Sequence, residues 1–380
     1  MQYKQLCGEK LSRLGMGNMR LPTTDGKIDK VKAQAIIDYL MAEGVNYYDT
    51  AYMYHGGESE KFVGKALRKY PRDSYFLATK MPSSELDKGR SPQEIFEEQL
   101  AKCGVDHFDF YLLHNMSENS YDVFTSEEKG VIPYLLEQKK IGRIRHLGVS
   151  SHAKPETLKK FLDLCHEAME FVQIQLNYLD WDMQDAKSQY EIISSYELPV
   201  WVMEPCRGGR LASLSPAADK VLKDAAPEAS IASWAFRWVH SLDNVGVVLS
   251  GMTQMDQAVD NVKTFSQGKN LSEVENGTLM KALDLFRSEV NVPCTVCHYC
   301  DGCPMGIDIP AVLALYNNFQ LNKSPFIRMQ LDKLSAGPAD CIACGACKPK
   351  CPQNISIPEV MAEFAAEIEK LPQPPAPPKP

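Results

Sequence analysis

The 380-residue sequence has no run of about twenty apolar residues, so no membrane span is expected. Its opening, MQYKQLCGEKLSRLG, lacks an apolar secretion core, so export is not expected either. No basic tract stands out and the net charge is -8, which disfavours a nucleic-acid partner. The turn GMGNMR (15–20) carries Arg20 where a dinucleotide-binding fingerprint needs its third glycine. A doubly wound open sheet therefore loses its usual mark. Cysteine is sparse for almost three hundred residues. Cys7, Cys103, Cys165 and Cys206 are scattered there and read as ordinary reduced thiols.

Against these absences stands an ordinary globular composition, 44% apolar and 24% charged. Eight short apolar runs alternate with stretches of helical spacing between about residues 15 and 265. They are LGMGNMRL (14–21), VNYYDTA (45–51), YFLATK (75–80), FDFYLLH (108–114), IRHLGVSS (144–151), FVQIQLNY (171–178), LPVWVME (198–204) and VGVVLSG (245–251). Amphipathic stretches such as KVKAQAIIDYLMAEG (30–44) and SPQEIFEEQLAKCG (91–104) lie between them. Gly44 and Ser91-Pro92 mark helix boundaries. Eight strands alternating with helices predict an α/β chain, a (β/α)8 TIM barrel over 1–270. A connecting helix over 271–290 leads to a small, mostly α-helical, ferredoxin-like domain over 291–371. The end, 372–380, is a proline-rich tail.

The remaining eight of the twelve cysteines fall between Cys294 and Cys351. Without an export signal, this clustering favours metal over disulfides. The region repeats itself: CPMGIDIP (303–310) matches CPQNISIP (351–358), and a helical pattern follows each. Zinc sites usually pair two C-x-x-C knuckles across a longer gap. Here three cysteines at three-residue steps converge from one tight loop, which suits three corners of an iron-sulfur cubane. Cys341, Cys344, Cys347 and Cys351-Pro352 follow the bacterial ferredoxin run, in which the last cysteine serves the other cluster. Two [4Fe–4S] clusters are expected, with zinc as the rival. Cys294, Cys297, Cys300 and Cys351 are assigned to one, and Cys341, Cys344, Cys347 and Cys303 to the other.

The stretch YYDTAYMYHGGESEKFVG (47–64), with ATK (78–80), YLLH (111–114), GRIRHLGVSS (142–151) and QLNY (175–178), resembles the aldo-keto reductases over about residues 10 to 265. The cysteine module resembles the dicluster ferredoxin-type extension of a bacterial branch of that family. The resemblance implies a nicotinamide cofactor at the C-terminal face of the barrel and a catalytic tetrad at Asp49, Tyr54, Lys80 and His114. Asp49, Lys80 and His114 each close an apolar strand, where barrel enzymes place catalytic side chains. Tyr54 would be the proton donor, Lys80 held by Asp49 would lower its pKa, and His114 would orient the carbonyl.

The same resemblance implies cofactor contacts at Ser150, Ser151 and Gln175, and a covering loop, MEPCRGGRL (203–211), that includes Cys206. Met203 stands where an aromatic usually stacks on the nicotinamide. Gly251 and Gln257 stand where many NADP-using members carry lysine and arginine, while Asp260 and Asn261 match the adenine-end pair. NADH is therefore expected to serve at least as well as NADPH. No flavin signature is present, although a barrel can bind a flavin phosphate without a short motif.

Together these residues predict an oxidoreductase that interconverts a small-molecule carbonyl and an alcohol in a reducing cytoplasm. Its clusters could exchange electrons with the barrel or a redox partner protein, be structural, or sense oxygen or redox state. The alternative is an electron-transfer or redox-sensing protein whose barrel binds cofactor without rapid turnover.

Overall fold

The structure is a computed structural model and describes residues 1–290, 292, 294, 300–351 and 355–371. Cys297 and the proline-rich tail lie outside the described residues. The chain divides into two compact units, Met1–Leu214 with Leu222–Leu279, and Ser215–Val221 with Met280–Pro380.

Eight parallel strands close the barrel: β1 (Leu14–Gly17), β2 (Tyr47–Asp49), β3 (Phe76–Pro82), β4 (Phe108–Met116), β5 (Ile144–Ser151), β6 (Phe171–Gln175), β7 (Val200–Met203) and β8 (Val245–Ser250). Each run read from the sequence supplies one strand. Neighbours follow chain order, and β8 returns to β1 with Val248 opposite Leu14. The near-continuous apolar character of these strands reflects their burial on both faces. Alternate residues fill the interior, among them Tyr47, Phe110, Leu112, Phe171, Trp201 and Leu249. Phe171 and Trp201 stack at 4.6 Å and Tyr47 meets Phe110 edge-on at 5.1 Å. The barrel is a packed core rather than a pore.

Helices surround it. Asp29 caps α1 (Lys30–Ala42) by accepting from the Lys32 backbone N–H at 3.1 Å. Ser91 and Glu94 form a capping box at the start of α2 (Pro92–Cys103). These are the boundaries that Gly44 and Ser91-Pro92 predicted. An antiparallel hairpin, Tyr3–Leu6 with Glu9–Ser12, covers the end at which the strands begin. Lys4 donates to the carbonyls of Asp243 and Val245 at 2.7 and 2.9 Å, and Asn46 holds the Ser12 backbone N–H at 2.8 Å.

The second unit is mostly helical, with α3 (Ile309–Asn322) and α4 (Ile357–Glu369) following the two sequence repeats. Both carry proline in the first turn, where a missing N–H costs nothing. Tyr316 and Phe319 of α3 pack on Phe364 of α4 at 5.3 and 5.6 Å. Ile307, Val312, Leu313 and Met361 complete a small core that includes Cys300. Among the described residues no helix is long and apolar enough to cross a membrane.

Candidate active site and metal centre

The barrel opens at the ends of its strands into a cavity of about 610 Å³. Asp49 ends β2 and lies opposite Ala78 of β3, which places Lys80 of β3 just beyond it. The Lys80 ammonium donates to Asp49 Oδ1 at 2.5 Å and to the Thr50 carbonyl at 2.7 Å. Both side chains are buried. Burial pulls the Lys80 pKa down, but Asp49 and Tyr54 outweigh it and hold the amine above its ordinary range.

Tyr54 follows β2 in a sharp turn. His55, Gly56 and Gly57 all take left-handed φ angles, 53°, 63° and 90°, which reverses the chain after the tyrosine. The Tyr54 ring lies 5.1 Å from the Lys80 ammonium and meets the His114 ring edge-on at 5.9 Å. Burial raises the Tyr54 pKa and outweighs the opposing pull of Lys80. The expected net lowering by Lys80 is thus corrected: the phenol is held protonated. Burial, Lys80 and His152 push the His114 pKa down to about 3, so its imidazole is neutral at physiological pH.

The cavity wall adds Ser150, Gln175, Met203 and Gly251. Gln173, one side-chain step before Gln175 on β6, also lines it; its Oε1 is buried with no hydrogen-bond partner among the described residues. Gln175 donates instead to Asp180 Oδ2 at 2.7 Å. Asp180 is buried and also receives Asn177 and the Arg207 guanidinium. Met203 sulfur lies 3.9 Å from the Ser150 hydroxyl and 3.5 Å from the Gln173 amide nitrogen. At the rim, Arg20 donates to Glu204 Oε1 at 2.7 Å. A Cβ at Gly251 would sit 3.0 Å from the Arg20 Cβ, so glycine there leaves room for that side chain.

In the second unit Cys300, Cys303, Cys341, Cys344 and Cys347 line one pocket with apolar walls from Ile307, Ile342 and Met361. The loop turns through left-handed Ala343 and Gly345, φ 53° and 72°. Burial first, then the charges of Cys341, Cys344 and Cys303, raise the Cys347 pKa. Those four thiols therefore lie near enough to feel one another's charge. Cys294 and Cys351 pack against the same small core. A donor set of soft thiols within an apolar pocket fits iron-sulfur ligation.

Residues 13–284 match the model of the aldo/keto reductase family, and residues 293–355 match a 4Fe-4S dicluster domain. The chain belongs to the aldo/keto reductase family. It is similar to the NADH-specific methylglyoxal reductase of Escherichia coli, 26% identical over 322 residues, covering 72% of this chain and 94% of the relative. It is 28% identical over 175 residues to the L-galactose dehydrogenase of Arabidopsis thaliana, covering 42% of this chain and 54% of that one. Among solved structures, the aldo-keto reductase AKR11C1 of Bacillus halodurans in its holo form superposes with a TM-score of 0.60 at 26% identity, covering 74% and 96% of the two chains.

In this aldo/keto reductase Asp49, Tyr54, Lys80 and His114 come together. Ser150, Gln175, Met203 and Gly251 share their cavity. Ser151, Cys206, Gln257 and Asn261 lie outside its lining. The Ser151 hydroxyl accepts from the Ala153 backbone N–H at 3.2 Å. Gln257 turns back to accept from Thr253 and Gln254 at 2.8 and 3.2 Å, which caps its own helix. Asn261 is buried and donates to the Ser250 hydroxyl at 3.0 Å. Cys206 packs on the barrel core. The sequence reading missed Gln173, Asp180 and the Arg20–Glu204 pair. Gln173 had a signal: two glutamines alternate with apolar residues in FVQIQ, and both must face the barrel interior.

Proposed function

We propose that this oxidoreductase interconverts a small carbonyl compound and its alcohol with a nicotinamide cofactor, and that its C-terminal unit carries two [4Fe–4S] clusters. The observation that carries the first part is the buried Lys80–Asp49 pair beneath a protonated Tyr54, with His114 at its edge. Bound nicotinamide supplies or accepts the hydride. Tyr54 gives its phenolic proton to the carbonyl oxygen in reduction and takes it back in oxidation. A buried phenolate needs a counter-charge, and the Lys80 ammonium stands close enough to supply one. Asp49 keeps that ammonium charged and aimed. Neutral His114 can donate a hydrogen bond to the same oxygen and fix its position. The unpaired Gln173 Oε1 and the Ser150 hydroxyl are suited to the nicotinamide amide.

Gly251 offers no cation to a 2′-phosphate, Gln257 is spent on its helix cap, and Arg207 is held by Asp180. These features support NADH as a cofactor at least as good as NADPH. In the second unit the shared pocket of Cys303 with Cys341, Cys344 and Cys347 supports the crossed ligand assignment. The other cluster would take Cys294, Cys297, Cys300 and Cys351. The free thiols Cys7, Cys103, Cys165 and Cys206 suit a reducing cytoplasm.

One observation favours a second reading. Met203, a flexible thioether, stands where the nicotinamide face would rest, and so supports an electron-transfer or redox-sensing role with slow turnover. Stopped-flow oxidation of NADH by the anaerobic protein, run against a panel of aldehydes, ketones and sugars, separates the two. Turnover with at least one carbonyl is expected. Tight NADH binding with no oxidation across the panel would leave the second reading standing instead.

A further inference from the structure

Far from the reacting cavity, at the end where the strands begin, three chemically distinct side chains converge. Cys7 sits in the turn of the N-terminal hairpin, where Cys7 and Gly8 take φ angles of 52° and 81°. His146 is the third residue of β5, and Glu170 directly precedes β6. The Cys7 sulfur, a His146 ring nitrogen and a Glu170 carboxylate oxygen all lie within 4.8 Å of one another.

The imidazole is fixed from two sides. Its Nδ1 lies 2.8 Å from Glu170 Oε2, and its ring stacks on Phe110 with centroids 4.8 Å apart. Glu170 Oε1 is itself held by Lys139 at 2.6 Å and by the Leu147 backbone N–H at 3.1 Å. His146 is only 9% exposed, and its Nε2 has no hydrogen-bond partner among the described residues. Glu9 Oε1 stands 3.8 Å from that nitrogen. This is too long for a hydrogen bond. Glu9 and Glu170 face opposite nitrogens of the ring, so an ion shared by Nδ1 and Glu170 lies out of reach of Glu9.

We propose that Cys7, His146 and Glu170 bind a single divalent transition-metal ion of the zinc class. A thiolate, an imidazole and a carboxylate together select such an ion over magnesium or calcium, which take oxygen ligands. Binding requires the thiol to lose its proton to solvent, so one proton is released per ion bound. The ion would staple the hairpin to β5 and β6. The three residues lie outside the lining of the reacting cavity, so its expected role is to hold the base of the barrel closed.

The test uses the full chain with its clusters assembled anaerobically. Zinc is added, excess is removed by dialysis, and zinc and iron are counted together. The expected result is about one retained zinc per chain with the iron unchanged. Cys7→Ala and His146→Gln should each weaken zinc binding at least tenfold and leave iron unchanged, while Cys165→Ala should keep it. As a second readout, zinc but not magnesium should raise the unfolding temperature of the unaltered chain. Zinc absent from the unaltered chain, or retained equally by both variants, would overturn the proposal.

Discussion

In the barrel, main-chain ladders place the reactive groups. Lys80 and His114 lie within β3 and β4, Asp49 ends β2, and each strand is locked to two neighbours. In the second unit, the described cysteines lie outside its α-helices, and a small apolar cluster packs around them. The barrel has a site that exists before any cofactor arrives. The cysteine unit has a donor set that the proposed clusters would tie together. The proposed clusters would bind the folded unit, so their ligand energy would add to its folding energy.

The strongest attempt to break this contrast is to strip the iron. Anaerobic protein should contain about eight irons per chain, the content of two four-iron clusters. Chelation should open residues 294–371 to limited proteolysis and leave the barrel resistant and cooperatively folded. A stripped unit that resists protease would show that packing, not metal, holds it.

Within the barrel, Tyr54→Phe removes one oxygen and leaves the ring. It should lower the rate of carbonyl reduction by about 10²–10⁴-fold, the usual span for a lost general acid. Nicotinamide affinity, followed by fluorescence titration, should change less than about twofold, because the cavity is already formed. A variant with near-normal turnover would remove Tyr54 from the chemistry.

A smaller effect comes from His114. Its pKa is pushed down from 6.5 to about 3 in the folded chain, chiefly by burial. Between those values the unfolded chain binds the extra proton, so this residue's contribution to stability is full above the unfolded pKa and declines as pH falls. The decline should approach about 1.4 kcal/mol per pH unit. Urea midpoints taken from about pH 7.5 to 5 should fall less steeply in His114→Phe. Equal slopes would place the proton elsewhere.

The finest distinction is cofactor choice. Dissociation constants for NADH and NADPH at matched ionic strength should be equal, or favour NADH. A tenfold preference for NADPH, about 1.4 kcal/mol, would mean that a cation serves the 2′-phosphate. Arg20, beside Gly251, is the first to test, by Arg20→Ala.

The eight barrel strands were legible because each is an uninterrupted apolar run buried on both faces. The N-terminal hairpin was not. Its strands, YKQL and EKLS, are polar and partly exposed, so no periodicity marks them. Asp49, Lys80 and His114 were readable as polar ends of apolar strands. Asp180 and Arg207 were not, because their pairing joins positions 27 residues apart across a loop that has no repeating pattern. Gln257 was placed by resemblance at the adenine end, but its local geometry spends it on the backbone of its own helix.

The burial of Lys80 has a consequence for chemical durability. Aldehydes and dicarbonyls condense with amines through the nitrogen lone pair, and a chain that admits such compounds exposes its own lysines to them. Lys80 carries no free lone pair. Asp49 keeps its proton on, the Thr50 carbonyl occupies a second N–H, and the amine lies outside the residues lining the cavity. The charge proposed to serve the reaction would also shield the amine, so adducts formed by excess aldehyde should collect on surface lysines such as Lys32 and Lys140 long before they reach this one.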